Sequence, residues 1–329
     1  MSAINIDFAL RMPAFLVNLV KRDTTFGDAI HPGQSRLNLT KLGQKMNRDI
    51  THKVILITGA TDGMGLETAR ALAKHNPRLV LVGRNATKGQ RVVEELKQES
   101  GNQAIEFMQA DLSAQQDIRE LVKTFKSKYD RLDVLINNAG AYIPVKQLSA
   151  DGFEMTFALN HLGYFLLTNL LLDELTRSAP SRIINISSAA HASARFDINN
   201  LNSEGKYSPW NAYATSKLEN LYFTYELADR LKGTDVTVNA VHPGLVNSQF
   251  GKQGSGPFLA IFRLMQKFIG KTAANGAKTS IYLALADEVE GITGSYFANE
   301  KMAQSSKVSQ DREMGRKLWE MSEKMTRIN

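Results

Sequence analysis

Short runs of valine, isoleucine and leucine recur along this chain, each followed by a longer stretch whose apolar residues fall at helical spacing. The runs are Val54–Ile57, Leu79–Val82, Ala104–Gln109, Val134–Ile136, Arg182–Ile186, Val236–Val241 and Gly294–Phe297. Helical spacing occupies 65–75, 86–99, 113–129, 152–177, 212–232 and 275–286. A continuously apolar strand has no polar face to turn to water, so it must be covered on both sides. Helices between successive strands supply that cover and favour parallel pairing. The pattern predicts an α/β fold: a doubly wound parallel sheet of about seven strands with helices on both faces. No internal repeat or low-complexity segment interrupts it.

Composition narrows the function classes. The 329 residues are 43% hydrophobic and 22% charged, enough to bury one sizeable core. Cysteine is absent, which excludes disulfides, thiolate metal sites and a cysteine nucleophile. The net charge of +7 comes from the flanks. Residues 1–53 hold eight Lys/Arg against four Asp/Glu, residues 301–329 hold seven against four, and 54–300 balances at 25 of each. A nucleic-acid-binding face needs a basic stripe on a folded element and a docking motif. Neither is present, so no nucleic-acid partner is expected. No apolar run reaches the roughly 20 residues that span a bilayer. Phe8 to Val20 comes nearest, but Arg11 and Pro13 break it and no signal-cleavage pattern follows. It reads as a short helix docked on the protein or lying on a membrane surface. The expected location is cytoplasmic, with peripheral membrane contact through this leader left open. Leu159 to Leu172 is also apolar but contains Asn160, His161 and Asn169, and reads as a buried helix.

The first strand ends in Thr58-Gly59-Ala60-Thr61-Asp62-Gly63-Met64-Gly65 and passes directly into a helix. Glycines at 59, 63 and 65 permit a tight turn and let the backbone approach a pyrophosphate, toward which the helix amino terminus points its N–H groups. Placement between the first strand and a long helix makes this a dinucleotide-binding turn. The second strand ends in Gly83-Arg84-Asn85. A carboxylate there would bind a free adenosine ribose and repel a 2′-phosphate. Arg84 stands in its place, with Lys88 one helical turn on, and a guanidinium pairs with a phosphate through two charge-assisted bonds. The cofactor expected is NADP(H) rather than NAD(H). Asp111-Leu112 closes the third strand and Asn137-Asn138-Ala139-Gly140 the fourth, both at carboxyl ends where such sheets bind ligands.

Tyr213-Ala214-Thr215-Ser216-Lys217 opens a long helix, and a spacing of four puts phenol and ammonium on one face. A tyrosine has a pKa near 10; a nearby ammonium and an oxidised nicotinamide ring would each lower it toward useful proton exchange. The fifth strand delivers Ser187-Ser188 at its carboxyl end, ahead of this pair in the chain.

In this order the motifs resemble those of the short-chain dehydrogenase/reductase family, over about residues 50–326 and with a Rossmann-type fold. The resemblance implies a catalytic set of Asn160, Ser188, Tyr213 and Lys217. Tyr213 exchanges the proton, Lys217 tunes it and holds the ribose, Ser188 rather than Ser187 orients the substrate oxygen, and Asn160 positions a relay water. His161 is left structural. The same resemblance places Asp111 and Leu112 by the adenine and Asn138, Ala139 and Gly140 along the cofactor. Pro243, Gly244 and Val246, after His242, fall beside the nicotinamide, where Ser248 stands near the usual threonine position. Ser188 and Tyr213 are 25 residues apart, and the insertion Asp197 to Glu204 with Tyr207 is similar to that of retinol dehydrogenases and protochlorophyllide reductases. Asn160 to Thr168 and Arg316 to Glu320 also resemble that branch.

The organisation expected is a leader over 1–52, partly helical and docked or peripheral; an NADP-binding catalytic domain over 53–300, with a substrate lid at 248–274; and a carboxyl-terminal helical extension over 301–329. The lid segment Pro257 to Met265, with Phe268 and Ile269, is apolar enough to cover a lipophilic ligand. The function implied is NADP(H)-dependent interconversion of a carbonyl and an alcohol on a small apolar substrate. The resemblance also implies a homodimer paired through the helices near 152–177 and 211–232. The alternative is a regulatory or scaffold protein that binds NADP with its chemistry vestigial.

Overall fold

The computed structural model describes residues 48–246 and 270–328. The leader before residue 48, with Phe8–Val20, and the part of the lid segment that holds Ser248, Pro257–Met265, Phe268 and Ile269 lie outside the described residues.

The strands are β1 (Val54–Thr58), β2 (Arg78–Gly83), β3 (Ile105–Gln109), β4 (Val134–Asn137), β5 (Ser181–Ile186), β6 (Val236–His242), β7 (Ser295–Ala298) and β8 (Lys301–Ala303). They form one sheet in the order β3-β2-β1-β4-β5-β6-β7-β8. All pair in parallel except β7 with β8. The chain winds outward from β1 through β2 to β3, then crosses back to β4. That reversal opens a crevice at the carboxyl ends of β1 and β4.

Alternate side chains of each strand feed opposite cores. Val54, Leu56, Val80, Leu135 and Ile183 pack under α3 (Gln115–Lys128), α5 (Gly163–Leu170) and α7 (Pro209–Arg230). Ile55, Ile57, Leu79, Val134 and Ile184 pack under α1 (Gly63–Ala73), α2 (Ala86–Ser100) and α8 (Ala273–Leu285). Both sheet faces are therefore covered, as the unbroken apolar runs require.

Two features depart from the sequence reading. The helix expected over 152–177 is broken into α4 (Met155–Phe157), a π turn (Ala158–Leu162), α5 and α6 (Leu172–Arg177). Within the π turn, Gly163 N–H donates to the Ala158 carbonyl, one residue beyond α spacing. A side chain on Gly163 would collide with the Leu112 carbonyl, so the element is pinned against the end of the third strand. The second departure is β8. Asn299 and Glu300 both take positive φ, 52° and 62°, which makes the two-residue reversal that folds β8 back on β7. The segment expected only as a helical extension thus adds an eighth strand before α9 (Arg312–Thr326), which lies along α7.

Candidate active site

The β1–α1 turn is built around Thr58. Its hydroxyl accepts from Asn138 N–H at 2.8 Å and Ala139 N–H at 3.0 Å, while the Asn138 amide donates back to the Thr58 carbonyl at 2.8 Å. These bonds lock the ends of β1 and β4 together on one wall of the crevice. Gly59 takes a φ of +63°, and a Cβ there would lie 2.9 Å from Ala139 Cα. A Cβ on Gly65 would run into the Gly59 carbonyl and the Asn138 amide. Asp62 caps α1, accepting from Gly63 N–H at 2.7 Å. Thr61 packs on Gly83 at the end of β2, and Met64 and Val246 converge on Gly276 of α8. The position a Gly63 side chain would take faces open space at the positive end of α1. A tight turn with an open front at a helix amino terminus fits the pyrophosphate of a dinucleotide.

At the end of β2 four charged side chains gather. Lys88 pairs with Asp62 at 2.7 Å, whereas Arg84 stands 3.9 Å from Asp111 with 68% of its side chain exposed. Asn85 caps α2 by accepting from Lys88 N–H. Asp111 holds its own turn, accepting from the Ser113 N–H and hydroxyl, and Leu112 is buried beside it. Lys88 thus has its charge matched locally, and Arg84 is the more available cation.

The two serines after β5 part company. Ser187 is buried and its hydroxyl donates to the Lys217 carbonyl at 2.7 Å. Ser188 takes an extended conformation and accepts from Ala190 N–H at 3.2 Å, and its hydroxyl stands beside the Tyr213 phenol, whose proton affinity it draws down. The Lys217 ammonium lies 5.6 Å from the centre of the Tyr213 ring and donates to the Ile186 carbonyl at 3.0 Å. Asn160 sits in the π turn. Its amide donates to the Ala141 carbonyl and the Ser216 hydroxyl, and its oxygen accepts from Ala141 N–H at 2.9 Å. The Cβ position of Gly140 is 3.2 Å from the Asn160 oxygen and 3.4 Å from the Lys217 nitrogen, so any side chain there would wedge between them. After β6, Pro243 leads into Gly244, with φ +85°, and Val246 bridges to Lys271.

Burial sets the proton affinities here. It pushes the Tyr213 phenol up to about 12, against the Ser188 hydroxyl that pulls it down. It pulls the Lys217 ammonium down to about 7. The sequence reading expects the ammonium to hold the phenol low; in the protein alone, desolvation is the larger effect. Three neighbours are not singled out by the sequence. Tyr142 and Trp210 place their rings 6.3 Å and 6.2 Å from that of Tyr213, and His191 lies one turn beyond Ser188. Tyr142 reaches Tyr213 from the loop after β4 and leaves no spacing signal, whereas Trp210 stands three residues ahead of Tyr213 on the same helix, a spacing the sequence does carry.

The sheet order, the glycine turn and the Ser–Tyr–Lys cluster together define a dinucleotide-dependent oxidoreductase. Residues 53–255 match the family described as short chain dehydrogenase. Retinol dehydrogenase 11 of Homo sapiens is 42% identical over 270 residues, 82% of this chain and 84% of that protein. Polyprenol dehydrogenase of Homo sapiens is 42% identical over 286 residues, covering 84% and 86%. Among solved structures, an uncharacterised protein from Mycobacterium paratuberculosis superposes with a TM-score of 0.69 at 32% identity, covering 85% of this chain and 95% of its own. A short chain dehydrogenase of Escherichia coli complexed with NADPH gives 0.60 at 26% identity, covering 77% and 99%. The chain belongs to the short-chain dehydrogenase family, in its retinol dehydrogenase-like branch. It is an NAD(P)-dependent oxidoreductase of carbonyl and alcohol groups. Among the described residues no helix is long and apolar enough to cross a membrane, and no cluster of side chains could hold a metal ion.

Proposed function

We propose that the chain is an NADP(H)-dependent reductase or dehydrogenase of apolar, isoprenoid-like carbonyls and alcohols, with Tyr213 as its acid and base. The observation that carries this reading is the Lys217 ammonium 5.6 Å from the centre of the Tyr213 ring, with the Ser188 hydroxyl beside the same phenol. Bound nicotinamide supplies or takes up the hydride. Tyr213 gives its proton to the carbonyl oxygen, and Ser188 orients that oxygen through its hydroxyl. The phenolate left behind faces the Lys217 ammonium and can accept from the Ser188 hydroxyl. Asn160 has both amide protons engaged and its oxygen accepts one bond, from Ala141 N–H, which leaves one lone pair for a water through which Lys217 exchanges its proton.

NADP(H) is favoured by Arg84 at the end of β2, exposed and only loosely held by Asp111. An apolar substrate is supported by the Tyr142 and Trp210 rings beside Tyr213. The names of the relatives, retinol and polyprenol dehydrogenases, point the same way. Replacing Tyr213 by Phe removes the proton donor and little else. Turnover of retinal with NADPH should fall at least about a thousandfold while NADPH affinity changes less than about twofold. Full activity in Tyr213→Phe would overturn the assignment. A wild-type chain that binds NADPH and reduces no carbonyl in a panel of aldehydes and ketones would favour the scaffold reading.

A further inference from the structure

The peptide unit joining Ser188 to Ala189 is gripped from both sides by imidazoles. His191 Nδ1 lies 2.6 Å from the Ser188 carbonyl oxygen, and His191 Nε2 lies 3.0 Å from the Ser306 backbone nitrogen. A backbone N–H can only donate, so Nε2 is the acceptor. The neutral ring then carries its proton on Nδ1 and donates it to the Ser188 carbonyl. On the other side, Ala189 N–H donates to His242 Nδ1 at 3.1 Å. Both rings are buried, 1% and 5% exposed, so water does not compete for these bonds.

A carbonyl and the N–H that follows it belong to one plane. Holding both sides of that plane fixes ψ of Ser188, 154°, and with it the start of the turn whose Ala190 N–H donates to the serine hydroxyl. That hydroxyl stands beside the Tyr213 phenol. We infer that His191 and His242 are positioning residues that clamp the Ser188–Ala189 peptide and so aim the serine hydroxyl. Ser306 imposes the His191 tautomer and ties the segment before α9 to the catalytic turn. Neither histidine touches the reacting atoms; both act through Ser188, and the inference rests on the role proposed for it.

The test compares Ser188→Ala, His191→Phe, His191→Asn, Ser306→Pro and the double variant Ser188→Ala/His191→Phe. The readouts are retinal and decanal turnover and NADPH affinity. Phenylalanine keeps a ring against Tyr296, 5.4 Å away in the native protein, but makes neither hydrogen bond. His191→Phe should lower kcat about tenfold with NADPH affinity within about twofold. Asparagine offers an N–H near the Nδ1 position and should recover kcat to within about threefold of the native value. Ser306 has φ −65°, which proline adopts, and its buried hydroxyl has no hydrogen-bond partner among the described residues, so the N–H is the only hydrogen bond Ser306→Pro removes, which should cost kcat about threefold. In the Ser188→Ala background, His191→Phe should have no further effect. An equal tenfold loss in both backgrounds, or no loss in either, overturns the clamp. Unchanged kcat in Ser188→Ala instead overturns the role of the serine. Nitrogen-15 spectra of the imidazoles supply a readout independent of any substrate. His191 should be protonated at Nδ1, and the opposite tautomer would refute the inference.

Discussion

Lys217 is buried with its ammonium on the Ile186 carbonyl, and burial holds its pKa near 7 where an unfolded lysine titrates near 10.4. Between those values the unfolded chain binds more protons than the folded one, so folding stability rises with pH from about 7 to 10. Below pH 7 both states are protonated and the fold carries the whole penalty, on the order of 3–5 kcal/mol. Lys217→Met removes the titrating group. The variant should lose turnover, yet melt several degrees higher than the native protein at pH 7 and show a flatter stability profile between pH 7 and 9.5. Thermal melts at half-unit pH steps check this, and parallel profiles for the two proteins would contradict it. Tyr213 shifts the opposite way, upward, and its linkage acts only above pH 10, outside that window. The residue proposed to tune the chemistry is thus held at a cost to the fold.

The long helix α7 carries both the proposed catalytic pair and a second buried ionisable group. Glu219 lies two residues past Lys217, is 1% exposed, and neither carboxylate oxygen has a hydrogen-bond partner among the described residues. Burial, with Glu154 nearby, raises its pKa well above the usual value. A raised carboxyl favours the fold at low pH and disfavours it as pH climbs past the unfolded value near 4.3. Glu219→Leu should therefore stabilise at neutral pH by about 1–3 kcal/mol, read from denaturant melts; a destabilised variant would mean the carboxyl has a partner. Sequence spacing locates α7 and puts Tyr213 and Lys217 on one face of it, because a four-residue interval on a helix needs no tertiary knowledge. The seven parallel strands are legible for a similar reason, each being a local apolar run. The π turn is not, since it depends on Gly163 meeting the Leu112 carbonyl from another element. Strand β8 is hidden by its turn: Asn299-Glu300 lacks the glycine that usually marks a two-residue reversal. His191 gives no signal in the sequence because its partner, Ser306, lies 115 residues away.

At the scale of the molecule, α9 decides what α7 can do. Trp319 meets Phe165 edge-on at 4.8 Å and stacks on Phe223 at 5.9 Å, with the Arg230 guanidinium 4.2 Å from its ring. Leu318 joins Leu218, Tyr222 and Phe157 in a further apolar cluster. Residues 216–228 of α7 are buried without interruption, as are 163–168 of α5. The helices through which the family resemblance implies pairing therefore have their outer surfaces already covered by the chain itself. A dimer built on them would have to displace α9 and uncover Trp319, a side chain whose truncation to alanine costs about 3–5 kcal/mol. The full chain should accordingly run as a monomer in light scattering at micromolar concentration. Trp319→Ala should lower stability by that amount and favour association, because it loosens the cover without touching the crevice. A stable dimer of the native chain whose α9 remains protected from hydrogen exchange would show that pairing uses a different surface.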